Sequence, residues 1–235
     1  MNQEKKLMKR NFIIAAIVLL VYVFSGINVS ANAASAVSIP IKNAGFEEPI
    51  LKVEDDYTID TPPGWITYDP NGLVPAKRTR ITSNNGVGYT GPNSAFYNHK
   101  APEGHNVAFV YLAQEIGSGI AGLEQTLDAV LKPNTKYTLT VDIGNSGGSF
   151  QGFPLDGFPG YRVELLAGDT VLAADHNTLH IKEKDFKTTT VTFTATPESP
   201  YLGQNLGIRL INPLQGKFSG VDFDNVRLTA EPAET

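Results

Sequence analysis

"IAGLEQTLDAVL", Ile120 to Leu131, can be read two ways. Leu123, Leu127 and Leu131 recur every fourth residue and suit one face of a helix. Leu123, Gln125, Leu127, Ala129 and Leu131 recur every second residue and suit one face of a strand. The neighbours favour the strand. Downstream lie "KYTLTVDIG", "GYRVELLAG", "DTVLAAD", "FKTTTVTFTA", "NLGIRLIN" and "VDFDNVRLTA"; upstream lie "AVSIPI", "GWITYD", "SAFYNH" and "NVAFVYLAQ". All are short, β-branched or aromatic, and bounded by turn markers such as "DPNG", "SNNG", "KPNTK", "GNSGG" and "DGFPG". About ten short strands without a long helical pattern predict an all-β fold, a jelly-roll β-sandwich. No internal repeat or second domain is visible.

The chain opens with a different kind of segment. Lys5, Lys6, Lys9 and Arg10 precede the apolar run "FIIAAIVLLVYVF", and Ala31 and Ala33 follow in an A-x-A arrangement. That pattern predicts a signal peptide over residues 1–33 and an exported protein, periplasmic or otherwise extracytoplasmic, with membrane contact only through an uncleaved leader. A single β-sandwich is expected over residues 34–230, with residues 231–235 as a frayed tail. Residues 1–33 hold four basic and one acidic side chain, so the remainder has 15 basic and 23 acidic residues and a net charge of −8. That balance argues against nucleic acid and anionic membranes as partners and is compatible with cations. There is no cysteine, so an exported domain must be held by its core, with a metal as a possible aid.

Three acidic features stand out: "NAGFEEP" with Glu47, "APEGHNVAF" with Glu103, and "DFDNV" with Asp222 and Asp224. Asp222 and Asp224 are two residues apart on one expected strand and share a face, where two like charges are costly. Carboxylates with carbonyl oxygens are the donors that calcium takes. "GNSGGS", Gly144 to Ser149, is a plain Gly-rich turn and not a serine-protease motif, because no base accompanies the serine. His99, His105, His176 and His180 are scattered and read as solvated. The single tryptophan, Trp65, reads as a core or rim residue.

"NAGFEEP", "PEGHNVAFVYLAQ", "LKPNTKYTLTVDIGN" and "GVDFDNVRL" together resemble the calcium-containing jelly-roll carbohydrate-binding modules. The resemblance implies a structural calcium held by Gly45, Glu47, Glu103, Asn106 and Asp224, and leaves a non-catalytic sugar-binding module as the alternative function. "DTPPGWITYDPNGLVPAKRTRITSNNGVGYTGPNSAFYNHKAPEG" and "GNSGGSFQGFPLDGFPGYRVELLAGDTVLAAD" resemble the Stig cyclases of stigonematalean cyanobacteria. Those are exported, calcium-bound, dimeric enzymes of hapalindole, fischerindole, ambiguine and welwitindolinone biosynthesis. This resemblance implies a small-molecule substrate, a geranylated indolenine vinyl isonitrile. Its reaction is a Cope rearrangement, a cationic terpene cyclisation and trapping by the indole through C4 or C2. It also implies a homodimer or a hetero-oligomer with paralogous cyclases, and it places the general acid at Asp222. Phe109 and Ser146 stand where family members differ between Tyr and Phe, and between Phe and Ser. Phe96 and Phe150 are further expected wall residues.

Overall fold

The computed structural model describes residues 35–150, 153–154, 157–216 and 219–234, with the backbone alone at 150, 153, 154 and 219. The leader expected over residues 1–33 lies outside the described residues. Among the described residues, thirteen strands follow in order: β1 (Val37–Ile39), β2 (Ile66–Tyr68), β3 (Asn84–Tyr89), β4 (Asn106–Leu112), β5 (Ala121–Val130), β6 (Thr135–Asn145), β7 (Ser149–Phe150), β8 (Phe153–Pro154), β9 (Arg162–Ala167), β10 (Thr170–His176), β11 (Asp185–Ala195), β12 (Asn205–Asn212) and β13 (Ser219–Pro232). One sheet runs β11-β6-β13-β4-β3, with β1 also on β13; the other runs β10-β9-β12-β5-β2; β7 and β8 form a small ribbon. Every pairing is antiparallel. The protein is an all-β jelly-roll sandwich.

The segment 120–131 is strand β5, and the period of two decides its burial. Leu123 and Leu127 face the core, while Thr126 and Asp128 are exposed. Gln125 is the polar member of the inward face. Its Oε1 accepts the Lys42 N–H at 2.8 Å and its Nε2 donates to the Lys42 carbonyl at 2.9 Å, so the amide is satisfied in the core. The main core cluster draws on both sheets, including Val110, Leu139, Ile143, Val221 and Phe223 from one and Leu123, Val163, Leu165, Ile208 and Leu210 from the other, and a smaller cluster holds Leu73, Leu112, Ala121 and Leu214. Each such leucine contributes a burial that truncation to alanine would forfeit at about 2–5 kcal/mol.

Three sequence expectations change. "SNNG" is not a turn but the start of β3, with Asn84 and Asn85 buried. Asn84 Nδ2 donates to the carbonyls of Thr79 and Thr82, and Asn85 Oδ1 accepts from Arg78 Nη1. Gly86 serves close approach rather than turning, since a Cβ there would strike the Thr58 carbonyl and the Phe109 ring. "SAFYNH" is not a strand but part of the loop joining β3 to β4. Its start is capped by Asp55, which accepts from the Ser94 hydroxyl at 2.7 Å and the Ala95 N–H at 3.0 Å. The tail expected at 231 begins later, because Glu231 and Pro232 pair with Lys136 and Thr135 and the Ala233 N–H donates to Asn134. The backbone ladder with β6 and the Lys136–Glu231 ion pair hold that end in place.

Candidate active site

Directly opposed residues of an antiparallel sheet share a face. Across the first sheet, Phe186 on β11 opposes Gly144 on β6, Gly144 opposes Asp222 on β13, Asp222 opposes Phe109 on β4, and Phe109 opposes Gly86 on β3. Val221 and Phe223, the neighbours of Asp222, point into the core. Asp222 and Phe109 therefore stand on the outer face, in one row with two glycines. Phe109 lies over Gly86, where its ring fills the room a side chain would take.

The loop between β3 and β4 folds over this row. Its base is closed by the Thr90 N–H donating to the His105 carbonyl at 2.9 Å. Its middle delivers Tyr97, fully buried, whose hydroxyl donates to Asp222 Oδ2 at 2.5 Å. The Tyr97 ring stacks on Phe186 with centroids 4.4 Å apart. A Cβ at Gly144 would strike both the Tyr97 hydroxyl and the Phe186 ring, so the glycine is what admits them beside the acid. Burial pushes the Asp222 carboxyl up to about 7, against the opposing pull of the Tyr97 hydrogen bond. Burial, then the charge and hydrogen bond of Asp222, then the charge of Asp224, push the Tyr97 phenol well above its usual range. The arrangement is a carboxyl that keeps part of its protonated form near neutrality in an aromatic surround, a condition that suits a general acid.

The next row holds the second aspartate. Asp224 opposes Asp142 on β6, and Asp142 opposes Thr188 on β11. Asp224 is fully buried; Oδ2 accepts the Glu103 N–H at 2.8 Å and Oδ1 accepts the Asn225 N–H at 2.6 Å. Burial pushes its carboxyl up to about 8, the two backbone N–H groups oppose that rise, and the charges of Glu103 and Asp142 add to it. Asp142 accepts from the Asn225 side chain and from the Thr188 hydroxyl.

The five residues expected to hold a metal come from three distant segments that the fold brings together. The tight turn at Asn43–Phe46, with the Phe46 N–H on the Asn43 carbonyl, carries Gly45 and Glu47. Glu47 Oε1 accepts the N–H groups of His105 and Asn106 at 2.8 Å each. The Glu103 carboxylate lies against Gly45, where any Cβ would collide with it. Asn106 Nδ2 donates to the carbonyls of Phe46 and Pro49, while its Oδ1 is buried with no hydrogen-bond partner. Among the described residues, no three His, Asp or Glu side chains converge as a metal-binding group. The donors are nevertheless all hard oxygens, and an orphaned buried Asn106 Oδ1 is what a cation would relieve. The set fits calcium in chemistry.

The wall residues follow. Phe96 precedes Tyr97 and is half-buried; its carbonyl accepts the Gly147 N–H at 3.2 Å, which brings the half-buried Ser146 to the same border. Ser146 lies two residues beyond Gly144, just past the end of β6. Phe150 starts no described side chain, and its expected wall role lies outside the described residues. Sequence reasoning missed Tyr97, Gly144 and Phe186 as neighbours of the acid. Strand register places Gly144 and Phe186, and the path of the β3–β4 loop places Tyr97. His99 also departs from expectation: it is half-buried with both ring nitrogens engaged, whereas His105, His176 and His180 are exposed. Trp65 is buried against Phe46, with ring centroids 5.3 Å apart.

With this geometry in view, the relatives are informative. A structure of the Stig cyclase Fisc from Fischerella sp. TAU, in complex with (3Z)-3-(1-methyl-2-pyrrolidinylidene)-3H-indole, is 94% identical with a TM-score of 0.84, over 85% of this chain and 100% of that one. A cyclase from Fischerella sp. TAU in complex with 4-(1H-indol-3-yl)butan-2-one is also 94% identical, with a TM-score of 0.83, over 85% of this chain and 100% of that one. An apo cyclase from Fischerella sp. shares 94% identity and a TM-score of 0.84, over 86% of this chain and 99% of that one. No curated protein matches the chain. The family model described as HpiC1 cyclase matches residues 37–229, nearly all of the described sandwich. Similar over 85% of its length to a Stig cyclase, the chain belongs to the HpiC1-like family of cyclases.

Proposed function

We propose that this cyclase converts a geranylated indolenine bearing a vinyl isonitrile into a polycyclic indole alkaloid, with Asp222 as general acid. The observation that carries the reading is the buried Asp222 carboxyl, bonded through Oδ2 to Tyr97 and flanked across the sheet by Phe109 and Gly144. The Tyr97 bond occupies Oδ2 and leaves Oδ1 for the proton that is lent to substrate. Indole ligands in two of the similar Fischerella cyclases support an indole substrate here.

Protonation of the indolenine nitrogen draws electrons toward the ring and lowers the barrier to the Cope rearrangement, in which one C–C bond breaks as another forms. The rearranged terpene then closes as a cation, and an indole carbon traps it. Loss of the ring proton from that carbon restores the aromatic system and balances the proton lent at nitrogen, so the net change is an isomerisation. Aromatic walls suit such a cation, because ring faces attract positive charge without offering a nucleophile. Phe109 opposes the acid, Phe96 and Ser146 lie at the edge of the loop that carries Tyr97, and the three would shape the fold of the cation before it is trapped.

Calcium, in this reading, is structural. Gly45, Glu47, Glu103, Asn106 and Asp224 would hold it, and its charge would compensate the buried Asp224 and tie the Asn43–Phe46 turn and the β3–β4 loop to β13. The leader pattern in residues 1–33 supports export to an extracytoplasmic compartment. Pairing with a second copy or a paralogous cyclase belongs to the same proposal.

The test is incubation of the chain from residue 34 with the geranylated indole isonitrile and calcium, with products identified by NMR. Tetracyclic alkaloid formed by this chain and absent with Asp222→Ala is the expected result. A folded, calcium-loaded protein that turns nothing over but is retained on a polysaccharide would replace the proposal with a sugar-binding role.

A further inference from the structure

Tyr97 hangs from a loop, not a ladder, and a general acid set by a hydrogen bond needs that loop fixed. His99 lies two residues further along the same loop. Its Nδ1 is 2.9 Å from the Lys100 carbonyl and its Nε2 is 2.9 Å from the Lys184 carbonyl. Lys184 belongs to the turn that opens β11, has a φ of 62°, and donates its N–H to the Asn145 carbonyl at the end of β6 at 2.7 Å. The same turn supplies Glu183, whose Oε1 accepts the Gly148 N–H at 2.8 Å beside Ser146. The His99 ring also packs edge-on to Phe186, with centroids 5.6 Å apart, and tilted against Tyr97 at 5.8 Å. Tyr97, His99 and Phe186 thus form one three-ring cluster, and His99 is the member that bonds the loop to the turn.

Carbonyl oxygens only accept. The tautomer with its proton on Nε2 donates to the Lys184 carbonyl, and that bond joins the loop to the turn. We propose that His99 is a positioning residue for the acid: by donating from Nε2 to the Lys184 carbonyl it ties the loop to the turn and holds Tyr97 against Phe186, and so holds the Asp222 carboxyl in its working pose. This rests on the reading of Asp222 as the acid. A misplacement of about 1 Å in such a group can lower a rate by about a hundredfold, so the staple acts on kcat and on product ratio more than on substrate affinity.

Two variants test it in the full chain. His99→Phe keeps a ring in the cluster and removes the donor; His99→Gln removes the ring and returns an N–H donor. With His99→Phe, kcat is expected to fall about tenfold or more with KM little changed and the product ratio shifted, and His99→Gln should recover most of that loss. A second readout needs no substrate. In protein labelled with 13C at the tyrosine ζ carbon, the Tyr97 resonance, identified by its loss in Tyr97→Phe, should move in His99→Phe and return toward its original position in His99→Gln. A Tyr97 resonance unmoved in His99→Phe, or equal losses in the two variants, would overturn the proposal in favour of plain ring packing. If the unmodified chain forms no cyclised product, the cyclase reading falls, and the Tyr97 resonance still decides the role of His99.

Discussion

Gly144 lies directly across the sheet from Asp222, and the space its missing side chain leaves is filled by the Tyr97 hydroxyl and the Phe186 ring. The acid and its donor can meet only because a strand position in the middle of a sheet carries no Cβ. Gly144→Ala is therefore expected to push Tyr97 off Asp222. Overpacking of this kind costs about 1–3 kcal/mol, which a sandwich with a large core should survive. Circular dichroism should stay that of a folded β protein while turnover drops about tenfold or more. An alanine variant with full activity would show that the Tyr97 bond is dispensable.

Asp222 itself gives the sharpest contrast. Asp222→Asn keeps the shape and the Tyr97 contact but removes the transferable proton. Turnover should be lost to below about a hundredth, the scale of general acid catalysis, with the melting temperature near that of the parent. Tyr97→Phe should give an intermediate loss. Retained activity in Asp222→Asn would move the proton source elsewhere.

Ser146 borders the loop that carries Phe96 and Tyr97, and Phe109 opposes the acid. Ser146→Phe adds a ring at one border, and Phe109→Tyr adds a hydroxyl at the other. Each should shift the ratio of cyclised products with a smaller effect on total turnover. Chromatography of the product mixture reads both, and unchanged ratios would place these side chains outside the pocket wall.

Chelation probes the oxygen cluster around Asp224. Stripping divalent cations with EGTA should lower the melting temperature by several degrees and lower activity with it. One kcal/mol corresponds to about 2–4 °C in a domain of this size. Added calcium should restore both. A melting temperature indifferent to EGTA and to calcium would argue against a structural metal at these residues.

Asp175 carries a pH prediction far from the site. It is buried between the sheets and accepts from the hydroxyls of Tyr161 and Thr189 and from the Thr178 N–H. Burial pushes its carboxyl up, but the hydrogen bonds from Thr189, Tyr161 and Thr178 outweigh it and leave the carboxyl below its ordinary value. A depressed folded value stabilises the protein above the unfolded pKa, near 4, and that stabilisation is lost as pH falls through the folded value. Asp175→Asn should cost about 2–3 kcal/mol at pH 7 and progressively less below about pH 4. Urea melts across pH measure this; a penalty constant with pH would refute the assignment.

Much of this was legible before folding. The alternation in Ile120–Leu131 gave a strand because a period of two buries Leu123, Gln125 and Leu127 together, and Gln125 is tolerated there by pairing with the Lys42 peptide. The same alternation misled at "SAFYNH", where capping by Asp55 and the pull of Asp222 on Tyr97 outweigh strand propensity. "SNNG" looked like a turn because asparagine and glycine favour turns; the buried partners of Asn84 and Asn85 made it a strand instead.

The sequence by itself determined the fold class, the family and the pair of aspartates on one strand face, because periodicity and motif are local properties of the chain. Tertiary structure alone decided what those aspartates meet. Asp222 finds Tyr97, 125 residues away along the chain, and Asp224 finds the Glu103 N–H, 121 residues away. Such partners are set by strand register and by the path of the covering loop, and neither is written in any short stretch of sequence. The same placement explains why two carboxyls side by side are tolerated: each has its own donors, a phenol for one and two backbone N–H groups for the other.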